Sequence, residues 1–585
     1  MIDLKTAPFF LDDESIQWVS DTLKDMSEKE KIGQLFCPLG FFDTAKAIRH
    51  FTEELEIGGI MFRPKPAKKL LATYRKLQSA SKIPLLCAAN LEDGGSGATP
   101  DGTHFSMPLG TSAADDDKMG YYLGKIAASE GSAVGCNWAF APIVDIDNNF
   151  RNPITNLRTF GADYKKVIRM AQGYLRAAKE ENVAVSIKHF PGDGVDERDQ
   201  HLLTSVNSLS AEEWELTYGE IYRTLIADGA QTVMVGHIAQ PEWVKKINPM
   251  ASPEVCYRPA SQSKELLFGL LRDHLGFNGL IVTDASAMLG FACAAPREQA
   301  VPLAIANGCD MFLFNKNLDE DYNFMTQGVQ NGTITQERLN EAVTRLLATK
   351  AALGLHKRKQ SGTLIPTAEQ SAAILKCSKH LKWTAECADR AITLVKDTQN
   401  LLPIMPSKTK RIYLNVLENR PEKNSALAMD LKTRLQKEGF VVTIRNRTLD
   451  LDFKKAMKGM ITPSTIKLLR ECLAGVGTFK NKYDLVIVVA NLETQSNASV
   501  VRLNWKVIMG MGDDAPWYTS EVPTMFISLA NPYHLLDAPM MKTFINAYTN
   551  TEFTRDALIE KIMGRSKFKG ISPIDPFCGK EDTKL

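Results

Sequence analysis

The sequence predicts an α/β protein, a (β/α)8 TIM-type barrel followed by a smaller α/β sandwich domain. Three observations predict it. Eight short apolar runs recur between residues 32 and 314, with segments of helical period among them. The runs are apolar on both faces, which suits buried parallel strands, and parallel strands need helical crossovers. At 585 residues the chain also exceeds what one hydrophobic core usually supports, so a second domain is expected.

In chain order the runs are "IGQLFCPL" (32–39), "GGIMF" (58–62), "IPLLCAAN" (83–90), "NWAFAPIV" (137–144), "VAVSIKHF" (183–190), "QTVMVGHI" (231–238), "GLIVTD" (279–284) and "CDMFLF" (309–314). Amphipathic stretches such as "AKKLLATYRKLQSAS" and "YKKVIRMAQGYLRAAKEEN" lie between them and supply the crossovers. "TQERLNEAVTRLLATKAALGL" (335–355) reads as a closing helix, which sets the barrel at residues 1–355. "HKRKQSGTLIP" (356–366) is basic and turn-rich, and 371–397 has helical character, so 356–397 reads as linker and connecting helices. Strand-like runs return at 411–418, 440–446, 483–493 and 522–531, giving a C-terminal α/β domain over 398–585.

Composition narrows the function classes. Formal charge is +2, from 70 basic against 68 acidic side chains, so no electrostatic footprint for nucleic acid or an anionic membrane is expected. There is no uninterrupted apolar run of membrane-spanning length, and "MIDLKTAPFFLDDESIQ" does not read as a secretory signal. Ten cysteines are scattered with no CxxC pair, several within apolar runs, so neither disulfides nor a zinc site are expected and a cytoplasmic location fits. No cofactor or metal is implied; HExxH, GxSxG and a nucleotide-binding glycine loop are all missing from the sequence. Oligomeric state is open.

In such barrels chemistry collects where strands end and βα loops begin. Those positions hold Asn90 and Glu92 after the third run, Arg158 in the loop after the fourth, Lys188 and His189 at the fifth, His237 at the sixth and Asp284 at the seventh. Each alone has a plain structural reading as a cap or a satisfied neighbour; a set converging on one rim does not. "KHFPGDGVDERDQHL" (188–202) is dense in ionisable groups, and a solvated surface loop competes with an active-site loop. If it is catalytic, Gly192 and Gly194 are expected to act as hinges. Asp199 and His201 are expected on one side of an extended segment, with Asp193, Asp196 and Glu197 as competing proton carriers. Trp505 and Trp517 read as core and rim aromatics ahead of sugar-stacking platforms, and Arg502 as a salt-bridge partner.

"KHFPGDG…DQH", "GLIVTDASAM", "FAPIVDID…NLRTFGAD" and "SLANPYHLLDAP" resemble family 3 glycoside hydrolases, in their β-N-acetylglucosaminidase branch, and the similarity runs from 26 to 550. The resemblance implies that Asp284 is the catalytic nucleophile and that Arg158, Lys188 and His189 hold sugar hydroxyls. It implies that His201 is the acid/base and Asp199 its orienter. Two departures stand out: Asp193 replaces the usual histidine of "PGHG", and the sugar-binding aspartate of "DQEGG" is matched by Asn90 in "NLEDGG". His237 joins Asn90 among the candidate substrate contacts.

The expected activity is that of an exo-acting retaining β-N-acetylglucosaminidase. It would release terminal GlcNAc from peptidoglycan-derived or chitin-type oligosaccharides through a glycosyl-enzyme. Retaining hydrolysis needs a carboxylate nucleophile and a group that first donates and then accepts a proton, and an imidazole of ordinary pKa ~6.5 does both. The alternatives are a β-glucosidase, another exo-glycosidase or a glycoside phosphorylase of the same family and, in a different class, a catalytically decayed sugar-binding protein. A barrel enzyme of phosphorylated metabolites is disfavoured by the missing phosphate loop. Acids at 193, 196, 197 and 199 crowd the loop with negative charge, so water is expected to outcompete phosphate as acceptor.

Overall fold

A computed structural model describes residues 2–419, 425–445, 475–493, 496–499 and 515–585, with 463, 466, 502, 503 and 505 besides. The chain divides into two compact units. The first comprises Met1–Ser112, Asp116–Thr384 and Ser496–Ser499; the second Ala113–Asp115, Ala385–Gln495 and Val500–Leu585.

The strands of the first unit are β1 (Phe36–Cys37), β2 (Leu39–Gly40), β3 (Gly59–Phe62), β4 (Leu86–Ala89), β5 (Trp138–Ala139), β6 (Ala184–Phe190), β7 (Ser205–Val206), β8 (Thr232–Val235), β9 (Ile238–Ala239), β10 (Leu280–Thr283) and β11 (Phe312–Leu313). Seven of them form a parallel sheet in the order β10-β8-β6-β5-β4-β3-β2. β1 pairs in parallel with β11, and Met311 bridges to Val282 of β10, so the ring closes. β1 and β2 are one barrel strand broken at Pro38, which has no N–H to give the ladder. The interior is filled by side chains including Met61, Trp138, Phe140, Met234, Val282 and Leu313, and the Trp138 indole N–H donates to Thr232 Oγ1 at 3.0 Å.

Each expected run contains a strand, usually shorter than the run. The first run differs at its start: Ile32–Gln34 close a helix, Glu28–Gln34. Ser27 and Glu30 form a reciprocal capping box, so local hydrogen bonding wins those residues for the helix. The closing helix spans Gln336–Ala352, and the expected basic linker begins instead as a helix, Leu355–Gln360.

The second unit holds β12 (Thr393–Asp397), β13 (Arg411–Glu418), β14 (Val441–Ile444), β15 (Leu485–Asn491), β16 (Thr524–Ser528) and β17 (Thr543–Asn546), in the order β12-β17-β16-β15-β13-β14. All pairs are parallel except β12 with β17. Alternate residues serve two cores: Ile412, Leu414, Ile487 and Val489 face one, Tyr413, Val486 and Val488 the other. A sheet covered on both faces is the sandwich the continuous apolar runs require. The segment expected to be helical to 397 gives up its last five residues to the edge strand β12. In this unit Trp517 packs edge-on against Phe479 at 5.1 Å, Trp505 lies against the core, and Arg502 ion-pairs with Asp537, so all three take the plain structural reading.

Among the described residues no helix is long and apolar enough to cross a membrane, and no group of three or more His, Cys, Asp or Glu side chains is arranged to hold a metal ion.

Candidate active site

Asp284 follows directly on β10. Its N–H donates to Val235 O of the neighbouring strand at 2.8 Å, so the ladder itself fixes its backbone, and its Oδ1 accepts the Ala285 N–H at 2.6 Å. Its side chain is 13% exposed. Burial pushes the Asp284 carboxyl upward, but His189, His237 and His201 around it outweigh burial and hold it below the usual carboxylate value. The result is an anion on a rigid strand end, as a nucleophile requires.

His237 lies beneath it, fully buried. Its Nε2 meets the Ala285 carbonyl at 3.0 Å and its Nδ1 meets Ser261 Oγ at 2.9 Å. A carbonyl only accepts, so Nε2 carries the proton and Nδ1 accepts from the serine. Burial lowers the pKa of His237 more than Asp284 raises it. With both ring nitrogens engaged, His237 supports the Asp284–Ala285 corner and has no nitrogen left for a sugar hydroxyl.

Lys188 and His189 are adjacent on β6, yet both reach site residues. The register between β6 and β8 slips between Ile187 and Phe190, and such a bulge breaks the alternation of faces. Lys188 Nζ donates to Glu92 Oε1 at 2.7 Å. His189 Nδ1–H donates to Asp145 Oδ2 at 2.7 Å, which leaves Nε2 3.8 Å from Asp284 Oδ2. Arg158, on a short turn of helix (Asn156–Arg158), grips Glu92 with Nε at 3.0 Å and one terminal nitrogen at 2.9 Å. Burial pushes Glu92 up, but the two cations reverse this and hold it far below its usual range. Glu92, two residues beyond Asn90, is therefore the acid joined to Arg158 and Lys188. Asn90 is half-buried, and among the described residues none hydrogen-bonds its side chain.

The 188–202 loop is packed, contrary to the hinged loop expected. A Cβ on Gly192 (φ 120°) would lie 2.2 Å from the Tyr218 ring, and one on Gly194 (φ 103°) 1.9 Å from Ile146 O, so both glycines are needed for close approach. Asp199 is 1% exposed and Gln200 fully buried. Asp199 and His201 do meet, but through a turn and not along an extended segment. Asp199 Oδ1 accepts the His201 backbone N–H at 2.8 Å and the ring Nδ1–H at 2.7 Å. An Asx turn of this kind brings i and i+2 together while Gln200 points elsewhere. Asp199 Oδ2 accepts the Asn497 N–H at 2.7 Å, a partner 298 residues away in sequence but in the same compact unit. Burial raises Asp199, and its bonds to His201 more than reverse that, leaving it below its usual value. His201 keeps Nε2 free of Asp199, and its side chain is 23% exposed.

The competing acids are otherwise engaged. Asp196 takes Arg198 and the Val206 N–H, and Glu197 is mostly exposed, facing Arg151 at 3.9 Å. Asp193 is buried; burial and neighbouring Asp145 push its carboxyl up to about 6, against the pull of His189. The site also uses Asp145 and Gln200, which the sequence reading did not select. Asp145 lies in the quoted "FAPIVDID" and was recoverable as an acid following a strand; nothing in the sequence marks Gln200.

The family description "Glycosyl hydrolase family 3 N terminal domain" matches residues 27–349. A β-N-acetylglucosaminidase/β-glucosidase of Cellulomonas fimi is 43% identical over 588 residues, covering all of both chains. The chain belongs to glycoside hydrolase family 3. Among solved structures, this family 3 enzyme is similar to the β-glucoside phosphorylase BglX, at 45% identity and a TM-score of 0.90 over 99% of each chain; a second BglX structure is bound to 2FGlc. A family 3 β-N-acetylglucosaminidase from Paenibacillus sp. str. FPU-7 shares the fold at 23% identity and a TM-score of 0.73, over 94% of this chain and 99% of its own. The ligand of a family 3 enzyme is a carbohydrate.

Proposed function

We propose that this family 3 enzyme is an exo-acting retaining β-glycosidase of terminal β-linked GlcNAc, with glucose accepted as well. The single observation that carries the reading is the pairing of an anionic Asp284 on a strand end with a His201 oriented through Nδ1 by Asp199. In the first step an Asp284 oxygen attacks the anomeric carbon while protonated His201 gives its Nε2 proton to the leaving oxygen. Neutral His201 then takes a proton from the acceptor that releases the sugar, and Asp199 stabilises the imidazolium at each charged stage. Arg158, Lys188 and His189 are the hydroxyl-binding groups, with Glu92 holding the two cations in place. The double name of the C. fimi relative supports both sugars. Natural substrates on this reading are short peptidoglycan-derived or chitin-type fragments handled in the cytoplasm.

Phosphate as acceptor is a second reading, favoured by a specific observation. The negative charge expected around the acceptor is engaged elsewhere: Asp196 on Arg198, Glu197 toward solvent, Asp193 on buried partners, and Asp199 on His201 Nδ1 and the Asn497 N–H. One unpaired carboxylate about 4 Å from a phosphate charge would cost about 4 kcal/mol at an effective dielectric near 20. A neutral His201 imposes no such cost, and the likeness to a β-glucoside phosphorylase points the same way.

Product analysis with nitrophenyl β-GlcNAc and β-glucoside, with and without phosphate, tests both readings. Free sugar throughout supports hydrolysis; sugar 1-phosphate as main product moves the assignment to phosphorolysis; no turnover of either glycoside rejects the proposal. A fluorosugar inactivator should label the peptide carrying Asp284.

A further inference from the structure

The residue between the two members of the dyad is not a spacer. Gln200 is fully buried, and both ends of its amide are engaged. Its Nε2 donates to Asp193 Oδ2 at 3.1 Å, and its Oε1 accepts the His237 backbone N–H at 2.8 Å. A carboxylate on one side and an N–H on the other permit only one orientation of the amide. Asp193 is itself held: Oδ1 accepts Asn152 Nδ2 at 3.0 Å and the Gly194 N–H at 2.7 Å, and its own N–H donates to Asp145 at 2.8 Å. On the opposite side, a Cβ on Gly236 would lie 2.9 Å from Gln200 Oε1, so the strand end is kept bare where the amide seats.

We propose that the Gln200 amide, clamped between Asp193 and the backbone of His237, is the positioning element that aims the Asp199–His201 pair at the glycosidic oxygen. The inference rests on the acid/base role given to His201 above. Asp199 and His201 flank Gln200 in sequence, so the seat of its side chain sets the direction of the turn carrying them. His237 is also the residue that supports the Asp284 corner, so the acid/base and the nucleophile are referenced to one strand end. Asp193 supplies the acceptor that this amide needs.

The chemistry of the clamp supplies its own test. Gln200→Glu sets a carboxylate against Asp193. Asp193→Asn leaves one oxygen for the three donors on Asn152, Gly194 and Gln200. Asp193→Asn combined with Gln200→Glu reverses the pair and satisfies every donor and acceptor again. Each single variant should lower kcat/KM, which reports the first step, about 10- to 100-fold on alkyl or sugar β-glycosides and less than about 3-fold on dinitrophenyl glycosides, whose departure needs no proton. The double variant should recover to within about 5-fold of the parent on both substrate types. Should a single variant fail to fold, the double variant decides. Equal loss on both substrate types, or a double variant no better than the worse single, overturns the positioning role while His201→Ala still shows the leaving-group dependence. If His201→Ala also loses activity equally on both, the acid/base reading falls and the positioning role with it.

Discussion

A single oxygen of Asp199 accepts both the backbone N–H and the ring Nδ1–H of His201, at 2.8 and 2.7 Å. This double acceptance places the proton on Nδ1 and leaves Nε2 free of Asp199. It also ties the carboxylate to the turn, so the pair proposed as proton carrier is at the same time a local fold.

His201→Ala should therefore cost in proportion to the leaving group's need for a proton. On natural oligosaccharides kcat/KM should fall about 10²- to 10⁴-fold, and glycosylation by dinitrophenyl glycosides should change little. Asp199→Ala should show the same pattern more weakly, together with some loss of melting temperature from the broken turn. Rate constants measured against leaving-group pKa check this; a flat profile for His201→Ala rejects proton transfer by that residue.

Asp284→Asn should reduce turnover about 10⁴-fold or more and lower the melting temperature slightly, because the neighbouring histidines favour the charged carboxylate in the fold by more than burial disfavours it. Steady-state rates and thermal melts decide the matter. More than a trace of activity would move the nucleophile elsewhere.

Glu92→Gln should be destabilising as well as damaging. Lys188 is 3% exposed and loses its carboxylate, and leaving a buried charge without its partner costs about 3–5 kcal/mol. Denaturant midpoints and KM together test it: a large rise in KM with a lower midpoint is expected. An unchanged midpoint would show that the three charges are independent.

Asp193 gives a pH signature. Its native carboxyl titrates near about 6, against 3.8 for an ordinary one, so between those values the native state holds a proton that the unfolded chain has lost. Stability from this group is greatest below about pH 4 and is lost as pH rises to about 6, a change on the order of 2 kcal/mol. Asp193→Asn should remove that slope. Subtracting the two stability–pH curves isolates it, and parallel curves would mean that Asp193 titrates in the fold as it does in the unfolded chain.

The eight barrel strands and the strand-end positions of Lys188, His189 and Asp284 are written in the sequence because apolar periodicity is a local property that needs no knowledge of packing. Only the tertiary structure decided what those side chains meet. Lys188 reaches Glu92 across 96 residues and Asp199 reaches Asn497 across 298, and no local pattern ranks Glu92 above its neighbour Asn90. Thr393–Asp397 leaves a helix for a sheet edge because ladder partners far along the chain offer hydrogen bonds that a local reading does not see. Gln200 is the sharpest case. Its residue type announces nothing, and its place between Asp193 and His237 exists only once the loop has closed over the end of β8. Periodicity encodes which atoms are buried; a buried amide's partners are set by whichever donors and acceptors the closed barrel brings within about 3 Å.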